Sequence, residues 1–317
     1  MMDAQFETRP LIEREALRNL QIRQDSPSVV RLTVHLVTFI TLVVILGSKI
    51  FSVVVSFPLA VILAWVWSGL FAPFHECTHQ TAFRTKSLNT LGTWLTGIPF
   101  ILAPSVYKTF HFEHHRYTQD VEKDPELLND PRYLAWPTGL KNWLHMATGL
   151  GLMQLKLSPT IGFALKPESR WTDFAKWVNR APNKRQLAVE SRIILIFWIL
   201  FTFACLFWLP GGAWLLFAAW FTHVFQTLWV ASEHTGLPVD GNILRRTRTV
   251  SSSPFVRFWL WNMNYHAEHH AWPGIPWHQL PNAHQHVTSQ LESWIPSYSG
   301  LHANIINKVN EPSCDPL

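Results

Sequence analysis

The longest uncharged run in this chain, residues 193–232, limits its fold more than any other feature of the sequence. Forty consecutive residues lack Asp, Glu, Lys and Arg, which is rare in the core of a soluble protein. A bilayer core of roughly 30 Å needs about 20 apolar residues for each crossing helix. The Pro-Gly-Gly sequence at 210–212 divides the run, which predicts two membrane helices, 193–209 and 213–232, joined as a hairpin.

Two earlier apolar runs predict a second hairpin. Residues 50–74 hold no charge and no histidine, and residues 32–48 lie between Arg31 and Lys49, whose long side chains can reach the membrane surface. The sequence therefore predicts an all-α, polytopic membrane protein with four transmembrane helices in two hairpins. The shorter apolar stretches 92–104 and 143–157 predict interfacial or re-entrant helices. Buried helices in a large soluble protein are the alternative.

The amino-acid composition excludes several other classes of protein. Charged residues make up 15% of the chain against a usual share of about 25%, and the 317 residues include 17 Trp and 16 His. Disordered chains instead carry many charges and few aromatic residues. Three cysteines, Cys77, Cys205 and Cys314, are too few for a disulfide scaffold, and a net charge of +5 does not indicate a nucleic-acid partner.

The distribution of Lys and Arg predicts the orientation in the membrane. Of 26 such residues, only Lys49 falls in a short loop on the far side of the hairpins. The positive-inside rule therefore places both termini and the region between the hairpins in the cytoplasm, in a bacterial inner membrane or the endoplasmic reticulum. The polar N-terminal segment, which includes Arg9, does not resemble a cleavable signal peptide.

Histidines recur in three clusters on the predicted cytoplasmic side. Within each cluster the spacing is i, i+4 or i, i+3, i+4, which puts the rings on one face of a helix. His234, at the end of the fourth predicted helix, is a further candidate. The clusters are His75 and His79; His111, His114 and His115; and His266, His269 and His270.

So many neighbouring imidazoles predict a metal site, because buried rings without a metal would cost desolvation and would repel one another when protonated. The first cluster alone also matches a zinc metalloprotease pattern with Glu76 as general base, but that hypothesis leaves two clusters unused. Eight or nine nitrogens suit two metals, and nitrogen-rich sites with open positions suit iron that binds O2. Glu76, Glu113 and Glu268 lie inside the clusters and are interpreted as partners of imidazole N–H groups or as solvated carboxylates.

The order H-x3-H, H-x2-H-H, H-x2-H-H, with its placement relative to two membrane hairpins, resembles the membrane fatty acid desaturase superfamily. The surrounding sequence segments strengthen the resemblance: HECTHQTAFRTKSLN at 75–89, HFEHHRYTQDVEKDPEL at 111–127, EHTGLP at 233–238, RTRTV at 246–250 and WNMNYHAEHHAWPGIPWHQLP at 261–281. The resemblance implies a desaturase domain at 29–290, between a cytoplasmic N-terminal segment at 1–28 and a C-terminal tail at 291–317.

The family also implies two iron ions held almost wholly by histidines. His234 matches the extra ligand of acyl-CoA desaturases, and Val230 stands where those enzymes carry an Asn that reaches iron through water. His223, 11 residues before His234, lies on nearly the same helix face as His234. It is interpreted as lining a substrate channel or as making a polar contact in the core. The ligands implied by the resemblance are His75, His79, His111, His114, His115, His234, His266, His269 and His270.

What the resemblance implies chemically is O2-dependent oxidation of an alkyl chain. An alkyl C–H bond offers no leaving group and no acidic proton, so a metal oxidant must attack it. The favoured hypothesis is a desaturase that introduces a double bond into a fatty acyl chain. Alternatives are a hydroxylase or ketolase of a carotenoid, alkane or sphingoid tail, a desaturase of a small natural product, and a catalytically silent zinc protein.

Electrons are expected from a separate ferredoxin or cytochrome b5-type protein. The His-Pro-Gly-Gly motif of the family's fused haem domain does not occur in this sequence. The basic segment with Arg245, Arg246 and Arg248 could receive the acidic face of that donor, bind phospholipid headgroups or neutralise the membrane surface.

Overall fold

The computed structural model describes residues 12–129 and 139–307, and within these ranges the chain is mainly helical. Arg9, Cys314 and parts of the predicted terminal segments 1–28 and 291–317 lie outside the described residues. The α-helices are α1 (Arg14–Leu20), α2 (Ser26–Gly47), α3 (Val53–Gly69), α4 (Phe71–Thr78), α5 (Lys86–Gly97), α6 (Pro104–Tyr117), α7 (Pro125–Asn129), α8 (Leu140–Ala147), α9 (Leu150–Leu165), α10 (Lys184–Phe207), α11 (Gly212–His234), α12 (Ile243–Arg246), α13 (Pro254–Trp259), α14 (His266–Ala271), α15 (Leu280–Val287) and α16 (Tyr298–Asn307).

Short elements connect the helices of the polar half. Strands β1 (Thr249–Val250) and β2 (Trp294–Ile295) pair in parallel. The 3-10 helices are Ile98–Phe100, Glu168–Asp173, Lys176–Arg180, Trp277–Gln279 and Thr288–Gln290. The two predicted interfacial stretches are therefore broken into shorter pieces: residues 92–104 divide between α5, a 3-10 helix and the start of α6, and residues 143–157 divide between α8 and α9.

Among the described residues, four helical spans are long and apolar enough to cross a membrane: α2, α3 with α4, α10 and α11. They confirm the predicted all-α membrane architecture. Large apolar side chains point outward on them, as a lipid-facing surface requires. Val37 and Val44 are 58% and 60% exposed on α2, and Leu200 and Phe207 are 62% and 68% exposed on α10.

The first and third spans begin one to three turns before the predicted apolar runs. Pro27 stands in the first turn of α2, where its fixed φ favours a helix start. The Asn183 side chain caps α10 by accepting a hydrogen bond from the Gln186 N–H at 3.1 Å. The first turns of these two helices are polar, so each helix begins before the apolar run from which it was predicted.

Two glycines permit close approaches that position the membrane helices. A Cβ on Gly69 would lie 2.6 Å from the Trp259 carbonyl oxygen, at the point where α3 ends and α4 begins. The second predicted membrane helix, residues 50–74, carries a small break at Leu70, between α3 and α4. A Cβ on Gly211 would lie 1.7 Å from the Leu46 carbonyl oxygen, because the turn between α10 and α11 packs against the end of α2. The Gly211 N–H donates to the Gly47 carbonyl at 3.0 Å.

Candidate metal centre

The nine predicted histidines converge from four places in the fold. His75 and His79 lie on α4 and at its end, the second cluster lies on α6, His234 ends α11, and the third cluster lies on α14. They form two groups, and within each group the nearest ring nitrogens all lie within 4.8 Å of one another. We call them group one, with His75, His79, His111, His115 and His269, and group two, with His114, His234, His266 and His270.

The ring nitrogens within each group have the spacing of ligands that share one metal ion. A metal–nitrogen distance of about 2.0–2.1 Å puts neighbouring ligand nitrogens about 3 Å apart. Pairs of Nε2 atoms face each other at that separation, although two neutral imidazole nitrogens gain little from meeting without a cation. The distances are 2.8 Å for His79–His111, 3.0 Å for His111–His115, 3.2 Å for His115–His269, 3.1 Å for His114–His234 and 3.0 Å for His234–His266.

Electrostatics also favour metal binding over protonation in most of these rings. Burial, followed by repulsion from neighbouring imidazoles, lowers the pKa of His111 and His115 well below the ordinary value for histidine. The same causes lower the pKa of His269 and His270. Neutral imidazole is the form that binds a metal, so the groups fit two metal ions, one in each. The rings of His115 and His270 stack at 4.0 Å, so the two groups adjoin.

Outer hydrogen bonds orient the rings of group two. The Nδ1 atom of His114 lies 2.9 and 3.1 Å from the two carboxylate oxygens of Asp124, and that of His234 lies 3.1 Å from the Arg246 carbonyl. The Thr118 hydroxyl lies 3.1 Å from Nδ1 of His270. Contacts of this kind on Nδ1 leave Nε2 directed at a metal. Although burial opposes a charge on His114, the carboxylates of Asp124 and Glu126 outweigh it and raise the pKa of this ring to about 9.

The three carboxylates predicted as imidazole partners have different surroundings. Glu76 is buried and lies 3.4 Å from Nδ1 of His75, and it also accepts hydrogen bonds from Thr81 and from the Trp277 N–H. Glu113 instead pairs with Arg116 at 3.0 Å and lies 3.9 Å from Arg180.

Glu268 is fully buried, and its carboxylate forms hydrogen bonds with His284 and Thr249. The solvated-carboxylate alternative therefore fails for Glu76 and Glu268, while the contacts of Glu113 turn it towards arginines rather than towards either histidine group.

Asp124 and Glu233 contact the histidines without having been predicted. Glu233 lies 3.5 Å from Nδ1 of His266. Its position directly before His234 repeats the Glu-His pair of the second and third clusters, and this signal was available in the sequence. Asp124 follows His114 by ten residues, across a turn that returns its carboxylate to α6, so that contact depends on the tertiary structure.

A cavity with mostly apolar walls opens onto the histidines of both groups. Phe71, Leu102, Leu152 and Met263 contribute apolar surface, and Val230, the residue in the place of the family's Asn, also lines it. His223 does not belong to this wall and bonds through Nδ1 to the Ala219 carbonyl at 2.9 Å, which agrees with the interpretation of a polar core contact. The histidines in the wall are His75, His111, His114, His234 and His266.

The predicted basic segment is largely internal. Arg246 donates to the Thr118 carbonyl at 3.1 Å, and Arg248 donates to the carbonyls of Ser232 and Thr235. Both arginines are buried, so they do not offer a surface for an electron donor or for lipid headgroups. The prediction was wrong for these two residues because their guanidinium groups satisfy carbonyl oxygens around the end of α11.

Helices long and apolar enough to span a membrane, together with two largely buried groups of imidazoles beside an apolar cavity, are the features of a membrane metalloenzyme. Residues 52–300 match the model of the family described as "Fatty acid desaturase". The chain belongs to the fatty acid desaturase family. The predicted family is confirmed, and with it the enzyme class, an oxidoreductase of the desaturase type.

Several curated proteins are similar to this chain at low identity. The "Beta-carotene ketolase" of Haematococcus lacustris is 24% identical over 70% of this chain and 60% of its own length. The "Fatty acid desaturase" of Bacillus subtilis (strain 168) is 24% identical over 74% of this chain and 69% of its own length. The human "Sphingolipid delta(4)-desaturase/C4-monooxygenase DES2" is 24% identical over 69% and 65%. The chain thus spans about 60% of the length of the ketolase it matches.

Proposed function

We propose that this chain is a membrane-bound di-iron oxidoreductase that uses O2 to introduce a double bond into a fatty acyl chain. One observation carries the proposal: five histidines of two adjoining imidazole groups, two from group one and three from group two, line a mostly apolar cavity. Nitrogen-rich ligation of this kind suits iron, and the cavity suits a methylene chain. The proposed ligands are the nine histidines of groups one and two.

Desaturation requires a defined balance of atoms and electrons. A CH2–CH2 unit becomes CH=CH and gives up two protons and two electrons. O2 takes these with two further electrons and two protons, and two water molecules form. Iron held by the imidazoles would supply the activation of O2 that no side chain can provide. The residues of this chain hold the rings in place, exclude bulk water and position the methylene against groups one and two.

Expression of the full chain in a host that lacks the gene tests the proposal. We expect membrane lipids that are two mass units lighter and that carry a new double bond at one position of the acyl chain. We also expect the purified protein to contain iron. His114→Ala should abolish this product and lower the iron content, because it removes a ligand of group two. His286→Ala is the matched control, since His286 is an exposed histidine outside both groups, and it should leave both readouts unchanged. Zinc without iron, together with no oxidised lipid, would contradict the proposal.

Hydroxylation or ketolation is the second candidate function. The names of two relatives, a ketolase and a desaturase/C4-monooxygenase, support it. The two outcomes begin with the same removal of a hydrogen and differ in whether a second hydrogen leaves or an oxygen is added. Mass spectrometry separates them, because an alcohol gains one oxygen atom, a ketone gains one oxygen and loses two hydrogens, and an alkene only loses two hydrogens.

For the orientation, the distribution of charge supports both termini and the histidine groups lying on the cytoplasmic side. Ser52 and Ser87 provide the test, because both are exposed and cysteine is nearly isosteric with serine. In a Cys314→Ser background, a membrane-impermeant maleimide added to intact cells should label Ser52→Cys and leave Ser87→Cys unlabelled until the cells are opened. The reverse pattern would overturn the proposed orientation.

For the electron donor, a partly exposed part of group one supports docking at a basic face. His79 is only partly buried, and its ring lies 5.4 Å from Phe112, which is 39% exposed. Lys108, Arg116 and Arg180 border the same surface pocket as Phe112. We call Lys108, Phe112, Arg116 and Arg180 the His79 face. An acidic ferredoxin or cytochrome b5-type protein is the partner that matches its charge.

A further inference from the structure

Lys156, on α9, is a buried lysine in the wall of the cavity that holds the histidines. Only 4% of the residue is exposed. Its amino group donates a hydrogen bond to the side-chain oxygen of Gln226 on α11 and lies 4.7 Å from the centre of the Phe100 ring. Gln226 is also buried and lines the same cavity. The two side chains therefore form a polar spot in mostly apolar walls.

A lysine in such surroundings is costly unless something compensates it. Burial of an ammonium group away from water carries a penalty of several kcal/mol unless it is paired and hydrogen-bonded. An ammonium has three donors, and the Gln226 oxygen accepts one of them, while the faces of Phe100 and Phe71 compensate part of the charge. Burial accordingly lowers the pKa of Lys156 well below its ordinary value. A ligand oxygen entering the cavity would satisfy a further donor.

This polar spot lies close to the histidines through a short series of ring contacts. The Lys156 amino group is 5.8 Å from the Phe71 ring, the Phe71 ring is 5.4 Å from Tyr107, and Tyr107 stacks on His111 at 5.0 Å. Only two rings thus separate the lysine from a group-one histidine. A chain held at one end by Lys156 can reach the histidines along the apolar wall.

We propose that Lys156 and Gln226 form a subsite for an oxygen-bearing group of the substrate, such as a carboxylate, an ester or amide carbonyl, or a hydroxyl. The subsite makes the enzyme prefer oxygenated chains over hydrocarbons of the same length. This inference rests on the proposed function, because the ligand is the substrate of that reaction. A purely structural role, in which the Lys156–Gln226 contact only fastens α9 to α11, predicts a loss of stability with no change in ligand preference.

Ligand-dependent thermal unfolding of the purified, iron-containing protein under anaerobic conditions separates these roles without turnover. A ligand that binds the folded state raises the unfolding temperature. For the wild type we expect dodecanoic acid, methyl dodecanoate and 1-dodecanol to stabilise the protein more than dodecane does. Lys156→Met should weaken binding of dodecanoic acid by about tenfold to a hundredfold and leave dodecane unchanged. Lys156→Arg should retain the preference, and Lys141→Met, at an exposed lysine on α8, is the matched control.

Each outcome decides the proposal. Equal stabilisation by the acid and by dodecane in the wild type would overturn it, even if Lys156→Met fails to fold. A wild-type preference that survives in Lys156→Met would also overturn it. Product analysis of the same wild-type preparation keeps the proposed function separate: oxidised lipid with no ligand preference refutes the subsite alone, and a clear preference with no oxidation refutes the reaction alone.

Discussion

At the scale of single residues, the orientation of the imidazoles depends on side chains and backbone atoms outside group one and group two. Asp124 is central, because its carboxylate contacts the His114 ring and accepts hydrogen bonds from the backbone N–H groups of Gln119 and Glu126 at 2.8 and 2.9 Å. The backbone contacts hold the carboxylate, and the carboxylate holds the ring. Loss of such an outer partner weakens metal affinity or activity by about 10- to 100-fold in metalloenzymes.

We therefore predict graded effects at Asp124. Asp124→Ala should lower iron retention and turnover by about 10- to 100-fold, whereas Asp124→Asn, which keeps the shape and one acceptor oxygen, should cost less. Iron content and product yield, measured in parallel, check the prediction. Glu122→Gln alters an exposed carboxylate two residues away and should change neither value. Full iron content in Asp124→Ala would show that the carboxylate does not position His114.

At the scale of helices, local patterns predicted which histidines come together better than they predicted the residues around those histidines. The histidines of each cluster share a helix or its end, so spacing alone collects them on one face. The contacts of Asp124, and the internal burial of Arg246 and Arg248, arise where separate elements meet, and no periodicity encodes them. The helix starts were missed for a related reason, because polar capping residues such as Asn183 precede the apolar run.

The turn between α10 and α11 depends on the absence of a side chain at Gly211. Gly211→Ala should destabilise the protein by at least about 1–3 kcal/mol, because the new methyl group would meet the backbone of Leu46, which cannot rotate away. Gly47→Ala is a matched control from the facing helix end, since its Cβ would lie 3.6 Å from a Leu215 methyl group, an ordinary contact. Thermal unfolding in detergent compares the two variants. Equal unfolding temperatures would show that the turn has room for a side chain.

At the scale of the whole molecule, the proposed routes for the lipid substrate and for the electron donor are separate. The cavity with Phe71, Val230 and Met263 would lead a methylene chain to the histidines. The His79 face lies where group one is only partly covered, on the side of α6 that carries Phe112 and Arg116. Electron delivery at this face would not require a donor to enter the apolar cavity, so lipid and donor can be bound together.

This separation predicts that charge at the His79 face controls donor binding without affecting the chemistry. Arg180 is 58% exposed at its side chain, so Arg180→Glu should raise the KM for an acidic donor severalfold at low ionic strength and leave kcat with a small-molecule reductant unchanged. The difference should shrink as salt screens the charges. Arg170→Glu is the control, because the Arg170 side chain is also exposed, at 68%, and pairs with Asp173 away from this face. A KM that changes equally in both variants, or that does not depend on the salt concentration, would place the donor elsewhere. Loss of activity with the small-molecule reductant as well would indicate structural damage at group one.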